Sequence, residues 1–457
     1  MNFRKLIEQK QDELVTSLSR CIQIPSVQKK DDSGYPYGKD VHDSLVYMLH
    51  LAETLGFKTY NMDDRVGWCE YGTGEEMIAV LGHLDVVPEG DGWTVPPFAG
   101  SVMDGKIYGR GSMDDKGPTV AALYALLALK ESGVSLKRRI RILFGQDEET
   151  GASDMIYYTS HNGEIPVMGF TPDGEYPVIN GEKGLVGERF TCAFKQEGPL
   201  TLKELWGGTA PNIVPNLAWA DFDCDPTLAK EILAMQEKDI SFTRTDTGIK
   251  IEAAGISAHG GSPGEGKNAI GRLMQFLTRL PLTGQLASAV HFLAEKIGME
   301  YDGASLGIAI SDAVSGPLTM NLGVIRGNEA SLEVLLNYRY PVTKNFEDCG
   351  PAVRKQFEDA GFAQAALAHK ESLYMPADST LVQKLLEVYT RCTGLPGKPK
   401  CIGGGTYAKM LPNVLAFGPI FPGDEVREHK ADEFMEISRL IDNAEIIAEA
   451  MYALAAD

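Results

Sequence analysis

Apolar residues in this chain gather into short runs, each closed by a polar, glycine-rich turn. Met77–Leu81 runs into Gly-His-Leu-Asp, Ile140–Phe144 into Gly-Gln-Asp-Glu-Glu, and Val167–Phe170 into Thr-Pro-Asp. Val414–Phe417 leads into a Gly/Pro loop that reaches His429. Runs of this length bounded by turns read as strands. Pro118–Leu129 reads as a helix, and strand–helix–strand predicts a parallel sheet with crossover helices. Residues 1–22 carry Phe3, Leu6, Ile7, Leu14, Leu18 and Ile22 near helical spacing, which predicts an amphipathic helix. In open α/β sheets the ligand sits beyond the carboxyl ends of the strands. Here four strand ends carry His, Asp or Glu, three between residues 77 and 173 and one beyond 414. The expectation is a catalytic domain made of both chain ends, residues 1–183 and 380–457, with residues 184–379 inserted. The insertion has its own strand signal in the alternation of Ala330–Asn337 and its own helix signal in Ala269–Leu280.

Composition narrows the function class. The 457 residues hold 63 acidic and 43 basic side chains, a formal charge of −20. Such a surface repels phosphate backbones and anionic lipid, so neither nucleic acid nor a membrane surface is the expected partner. Seven cysteines with no C-x-x-C pair argue against a disulfide framework and a cysteine zinc site. Free thiols, no apolar stretch near the ~20 residues of a membrane span, and a charged N-terminus without an apolar signal core predict a cytoplasmic protein.

The strand ends supply a metal-ligand set. His83 and Asp85 lie two apart, so on an extended strand their side chains point the same way. A carboxylate beside a ligating imidazole takes its second N–H and fixes the tautomer. The turn in GRGSMDDKG offers Asp114 and Asp115, either of which could bridge two cations. Glu148 and Glu149 point oppositely on an extended backbone, so one can ligate while the other stays free as a base. Asp173 and His429 complete the set. Imidazoles plus carboxylates suit zinc, or manganese or cobalt, better than copper or an iron–sulfur cluster. With a bridging aspartate the set divides into His83 and Asp173 on one side and Glu149 and His429 on the other. Each half keeps the open position that a catalytic site requires. Two such cations ~3.5–4 Å apart can share a water and lower its pKa toward ~7. Glu148 is then the general base.

GHLDVVPEGDGW, GRGSMDDKGP, GQDEETG, TPDGEYP, GISAHGGSPGEGKNA, GGGTYAK and the His429 segment closely resemble the co-catalytic metallopeptidase family. That family includes aminoacylase, succinyl-diaminopimelate desuccinylase and the PepV-type dipeptidases. The resemblance runs from the first helix to the last, and PVINGEKG with the long middle segment looks most like the PepV-type branch. It implies an α/β fold with a central mixed, mostly parallel sheet flanked by helices and an inserted α/β lid of two subdomains. It further implies that Asp114 is the bridge, with a cis peptide bond after it, and that His259 is a lid histidine acting on the substrate carbonyl. Asn212, Arg339 and the Gly403–Gly404–Gly405 turn with Thr406 resemble the family's substrate clamp. Lys409 departs from the arginine often found there. A guanidinium suits such a clamp because it grips a carboxylate with two parallel bonds.

Several features invite other readings. His42, His50, His161, His291 and His369 lack any flanking motif and are expected to be ordinary core or surface residues. Gly303-Ala304-Ser305-Leu306-Gly307 matches a nucleophile-elbow pattern but lacks the strand before and the helix after that the motif needs. The expected activity is hydrolysis of unblocked dipeptides with two divalent cations, zinc first. An insertion long enough for two lid subdomains further predicts a monomer, the second subdomain standing where a partner's lid would be. The alternatives are an N-acyl-amino-acid deacylase or carboxypeptidase with the same chemistry, and a non-catalytic relic that only binds metal.

Overall fold

The structure is a computed structural model that describes residues 2–456; residue 1 of the expected first helix lies outside them. The chain divides into two compact units. One comprises residues 2–180, 375–400 and 405–456, and the other comprises Gly181–Tyr374 and Cys401–Gly404. The divisions fall after 180 and 374, where the sequence suggested 183 and 379, and the short stretch 401–404 returns to the second unit.

The first unit is built on strands β1 (Lys58–Met62), β2 (Val66–Tyr71), β3 (Met77–His83), β4 (Arg139–Gly145), β5 (Met168–Thr171) and β6 (Val414–Ala416). Their order is β1-β2-β4-β3-β5-β6, antiparallel at the β1–β2–β4 edge and parallel from β4 through β6. Every residue of β3 is buried, as a strand covered on both faces must be. One of its covers is the crossover helix. The helices of the unit include α1 (Phe3–Glu8), α2 (Gln11–Ile22), α3 (Lys116–Ser132), α4 (Ser153–Ser160) and α5 (Ile437–Ala455). Helix α3 is buried from Lys116 through Leu129 because it lies between β3 and β4 on one side and α1, α2 and α5 on the other. A helix apolar all round is stable only in such a place, and each buried leucine contributes about 1.5–3 kcal/mol. Gly133 ends it with φ 68°, a left-handed conformation that glycine adopts without a Cβ penalty.

The N-terminal stretch corrects the expectation of a single helix. The chain breaks at Gln9–Lys10 into α1 and α2. The bend lets Phe3 and Ile7 pack toward α5 and α3, while Leu14, Leu18 and Ile22 pack toward α3 and the helix Lys39–Thr54.

The second unit carries one eight-stranded antiparallel sheet. Its order is Ile240–Arg244, Gly248–Ala254, Leu217–Cys224, Leu200–Gly207, Thr319–Gly327, Ser331–Tyr340, Gly184–Ala193, Ala363–Lys370. The sheet is continuous, its two four-stranded halves joined edge to edge where Leu205–Gly207 pairs with Ile325–Gly327. Ser331–Tyr340 alternates buried and half-buried residues, the pattern of a sheet covered on one face. Phe190 stacks on Phe357 of the helix Gly350–Asp359 at 4.0 Å between ring centroids, fixing that cover. No helix among the described residues is long and apolar enough to cross a membrane.

Candidate metal centre

Strand register brings the candidate ligands together. His83 pairs directly with Gly145, so the carboxyl end of β3 lies beside the turn that begins at Gln146. The motif glycine before His83 is a packing requirement, since a Cβ on Gly82 would lie 2.0 Å from Thr119 Oγ1 and 3.0 Å from Asp115 Oδ2. Asp115 is fully buried, and its Oδ2 accepts the His83 backbone N–H at 3.1 Å and the Thr119 hydroxyl at 2.9 Å. The two aspartates therefore differ: Asp115 serves the backbone, and Asp114 faces the histidines across a cis peptide bond.

Asp114 spans two imidazoles. Its Oδ1 lies 3.0 Å from His83 Nε2 and its Oδ2 lies 3.0 Å from His429 Nε2. His429 Nε2 is also 3.1 Å from Glu149 Oε1, and His83 Nε2 is 3.8 Å from Asp173 Oδ2. His83 Nδ1 lies 3.0 Å from the Asp85 carbonyl oxygen and 3.4 Å from Asp85 Oδ1, which directs its lone pair on Nε2 toward Asp114. Donor atoms of His83, Asp114 and Glu149 lie within 4.8 Å of one another, as do those of His83, Glu148 and Asp173. Glu148 thus reaches the cluster beside Asp173, while Glu149 faces His429. His42, His50, His161, His291 and His369 belong to neither group.

Asp85 has a second task that the motif did not reveal. Its Oδ1 accepts the Glu148 N–H at 3.2 Å and its Oδ2 the Glu149 N–H at 3.1 Å. The same turn is held from behind by Asp154, a buried carboxylate. Its Oδ2 accepts the N–H of Gln146 at 2.6 Å, the N–H of Asp147 at 3.2 Å and the Tyr407 hydroxyl at 2.5 Å. Burial pushes Asp154 up to about 7. Tyr407 lies so close to the strand end that a Cβ on Gly145 would be 2.2 Å from its hydroxyl. Neither Asp154 nor Tyr407 was legible beforehand; the tyrosine after GGGT was the only hint.

Charge defines what the cluster can hold. Burial works against a charged His83, but Asp114 and Asp85 keep it well above the usual imidazole range. Asp114 and Glu149 push His429 up to about 11. Burial, then Asp173, drives Glu148 well above the carboxylate range. Burial, then Asp114, raises Glu149 and lifts Glu428 to about 9. Buried carboxylates thus outnumber the two imidazoles, an imbalance that divalent cations neutralise. The oxygen and nitrogen donors fit zinc, manganese or cobalt.

The remaining candidates lie elsewhere in the chain. His259, Asn212, Arg339, Gly403 and Gly404 belong to the second unit, and Gly405 and Thr406 to the first. Arg339 Nη2 is 3.3 Å from His259 Nε2, and its Nη1 donates to the Gly403 carbonyl at 2.7 Å. Asn212 contributes its carbonyl to the Gly260 N–H at 2.7 Å, holding the loop after His259. Gly261 leaves room for the guanidinium, since a Cβ there would lie 2.4 Å from Arg339 Nη1. Arg339 is buried, its Nε has no hydrogen-bond partner, and no carboxylate pairs with it among the described residues. Burial lowers it to about 10. Thr406 caps its own turn, its Oγ1 accepting the Ala408 N–H at 3.1 Å. Ser305 lies in a turn, with its N–H donated to Glu300 Oε2 at 2.9 Å and no nucleophile elbow around it.

The profile of Peptidase family M20/M25/M40 matches residues 79–453, the span that holds every one of these candidate ligands. The chain belongs to this family. It is a metal-dependent peptide hydrolase. The Beta-Ala-Xaa dipeptidase of Lactobacillus delbrueckii subsp. lactis is 35% identical over 470 aligned positions, covering 100% of this chain and 99% of the relative. Among solved structures, the di-peptidase Dug1p of Saccharomyces cerevisiae superposes with a TM-score of 0.62 at 14% identity, covering 100% of this chain and 99% of that one. Human carnosine dipeptidase 1 gives 0.59 at 15% identity, covering 99% of each chain. At those identities the structural likeness speaks for the fold alone.

Proposed function

We propose that this M20-family hydrolase cleaves unblocked dipeptides, with Asp114 bridging two divalent cations and Glu148 as general base. The observation that carries the reading is Asp114 itself, each oxygen 3.0 Å from the Nε2 of a different histidine. His83 and Asp173 would hold one cation and Glu149 and His429 the other, zinc by preference and manganese or cobalt as substitutes. Bound there, the cations supply Lewis acidity, acidifying water and polarising the scissile carbonyl. Glu148 takes the proton from the attacking water as the O–C bond forms, and passes it to the amine as the C–N bond breaks. Asp85 keeps His83 in the ligating tautomer and fixes the turn that carries Glu148.

In the second unit, Arg339 is the group for the substrate carboxylate, a buried cation with an open hydrogen-bonding position. Asn212 and the Gly403–Thr406 turn belong to the same clamp, and His259 donates to the oxyanion. A single chain is the active unit. In a mixture of His259→Ala and Glu148→Gln proteins under subunit exchange, activity should stay absent at every ratio, and light scattering should give the mass of one chain.

The substrate claim is tested with a panel of metal-loaded reactions. Dipeptides with a free α-amine, β-alanyl dipeptides included because of the 35% identical relative, should be cleaved. N-acetylated dipeptides and N-acyl-amino acids should not. Preference for the N-acyl compounds would replace the reading with a deacylase.

A further inference from the structure

We propose that the buried Arg110–Glu433 ion pair is the positioning device that aims Asp114 at both histidines. This rests on the ligand set proposed above and adds residues that are not ligands. Arg110 is 1% exposed and Glu433 is 0% exposed, and Arg110 Nη1 lies 2.6 Å from Glu433 Oε2. The other oxygen of Glu433 organises the Asp114 turn. Oε1 accepts the N–H of Gly111 at 3.0 Å, of Met113 at 2.8 Å and of Asp114 itself at 3.3 Å. The Glu433 carbonyl accepts the Gly109 N–H at 2.9 Å, closing the turn at its other end.

Arg110 extends the tie to two other segments that bear proposed ligands. Its Nη1 donates to the Lys430 carbonyl at 3.2 Å, one residue past His429. Its Nη2 donates to the carbonyls of Glu89 at 3.1 Å and Pro88 at 3.4 Å, in the loop that follows His83 and Asp85. The guanidinium also lies over the Trp93 ring, 5.3 Å from its centroid. Three segments distant in sequence, each bearing a proposed ligand, therefore meet at one ion pair.

The 428–433 segment needs such a tie. His429 and Asp432 adopt φ of 59° and 54°, left-handed conformations that residues with a Cβ rarely adopt. Asp432 is held by the Thr94 N–H at 2.7 Å and hydroxyl at 2.9 Å. Arg110 and Glu433 then fix the segment against the Asp114 turn. A buried pair is weak evidence for stability, because desolvation offsets the attraction; fixing register is its better-attested use.

The test separates positioning from plain stability by metal binding and by the absorption spectrum of the Co2+-loaded protein. Zn2+ affinity and the Co2+ spectrum are measured for the wild type, Glu433→Gln and Arg110→Met/Glu433→Leu. The double variant replaces both charges by apolar side chains, a change often neutral in stability. It nevertheless removes the acceptor for three N–H groups. Positioning predicts Zn2+ affinity roughly 10- to 100-fold weaker than wild type and an altered Co2+ spectrum in whichever variant melts cooperatively. A cooperatively folded variant with wild-type affinity and spectrum overturns the proposal. So does failure of both variants to fold, which would make the pair a folding element instead. If the wild type itself fails to bind Zn2+ tightly, the ligand set falls and not the positioning argument alone.

Discussion

Replacing Asp85 by Asn probes how the site is held. Asp85 uses its two oxygens differently: Oδ1 serves the Glu148 N–H and faces His83 Nδ1, and Oδ2 serves the Glu149 N–H. An asparagine must place an amide NH2 on one side. Placed toward Oδ1 it opposes two donors, and toward Oδ2 it opposes only the Glu149 N–H, so the second orientation wins. His83 keeps its tautomer because its Nδ1 still faces the residue-85 carbonyl at 3.0 Å. The loss is one hydrogen bond to a charged group, worth about 1.5–3 kcal/mol. At 1.36 kcal/mol per decade, that corresponds to roughly 10- to 150-fold in affinity if it falls wholly on the metal-bound state. The independent expectation for groups behind metal ligands is about 10- to 100-fold. The damage should be confined to the cation held by Glu149 and His429. Competition with a chromophoric chelator yields both binding constants, with a thermal melt as the check on folding. Two constants within about twofold of wild type, or equal weakening of both, would refute the reasoning.

Glu148→Gln should abolish turnover with metal content near wild type, whereas Glu149→Gln should lose metal; elemental analysis beside a rate assay reads both, and swapped phenotypes would reverse the role assignment. Arg339→Met should lower kcat/KM on the order of 100-fold, mainly through KM, because the substrate carboxylate loses its cation. A carboxylate held at a fixed place also limits length, so dipeptides should be cleaved far faster than tripeptides, and rapid hexapeptide cleavage would contradict the clamp. The pH dependence of stability has a marker in the second unit. Burial acts to raise Asp312, but the N–H groups of Ser315 and Thr343 dominate and hold it at about 2. A depressed carboxylate stabilises the fold above its unfolded pKa of ~3.9, and that contribution disappears as pH falls through about 2. Asp312→Asn should therefore melt below wild type at pH 5–7 and converge with it in strong acid; a constant gap at all pH values would show that the charge is not responsible.

Much of this was legible because the candidate ligands sit where apolar runs end. The runs at 77, 140, 167 and 414 are strands β3 to β6, and their turns carry His83, Glu148, Glu149 and Asp173. The break between α1 and α2 was not legible, because helical periodicity survives across Gln9–Lys10 while tertiary packing sets the bend. Nor did periodicity distinguish Asp114 from Asp115: only the resemblance chose Asp114, and the structure shows Asp115 committed to the His83 backbone. Glu433 and Asp154 escaped notice for a common reason. Each accepts several backbone N–H groups, which carry no side-chain signature, and their side-chain partners Arg110 and Tyr407 lie far away in sequence, as does Gly111, 322 residues from Glu433. Both residues stand within or beside the motifs but outside the candidate ligand groups, so ligand counting passes over them.

The central claim is a two-cation centre bridged by Asp114 and used for peptide hydrolysis. The most direct test is to strip the protein with a chelator, titrate Zn2+ back, and follow cleavage of an unblocked dipeptide against equivalents of metal bound. Activity should rise until two cations are bound per chain and then level off. Full activity at one cation per chain, or undiminished activity in the stripped protein, would contradict it.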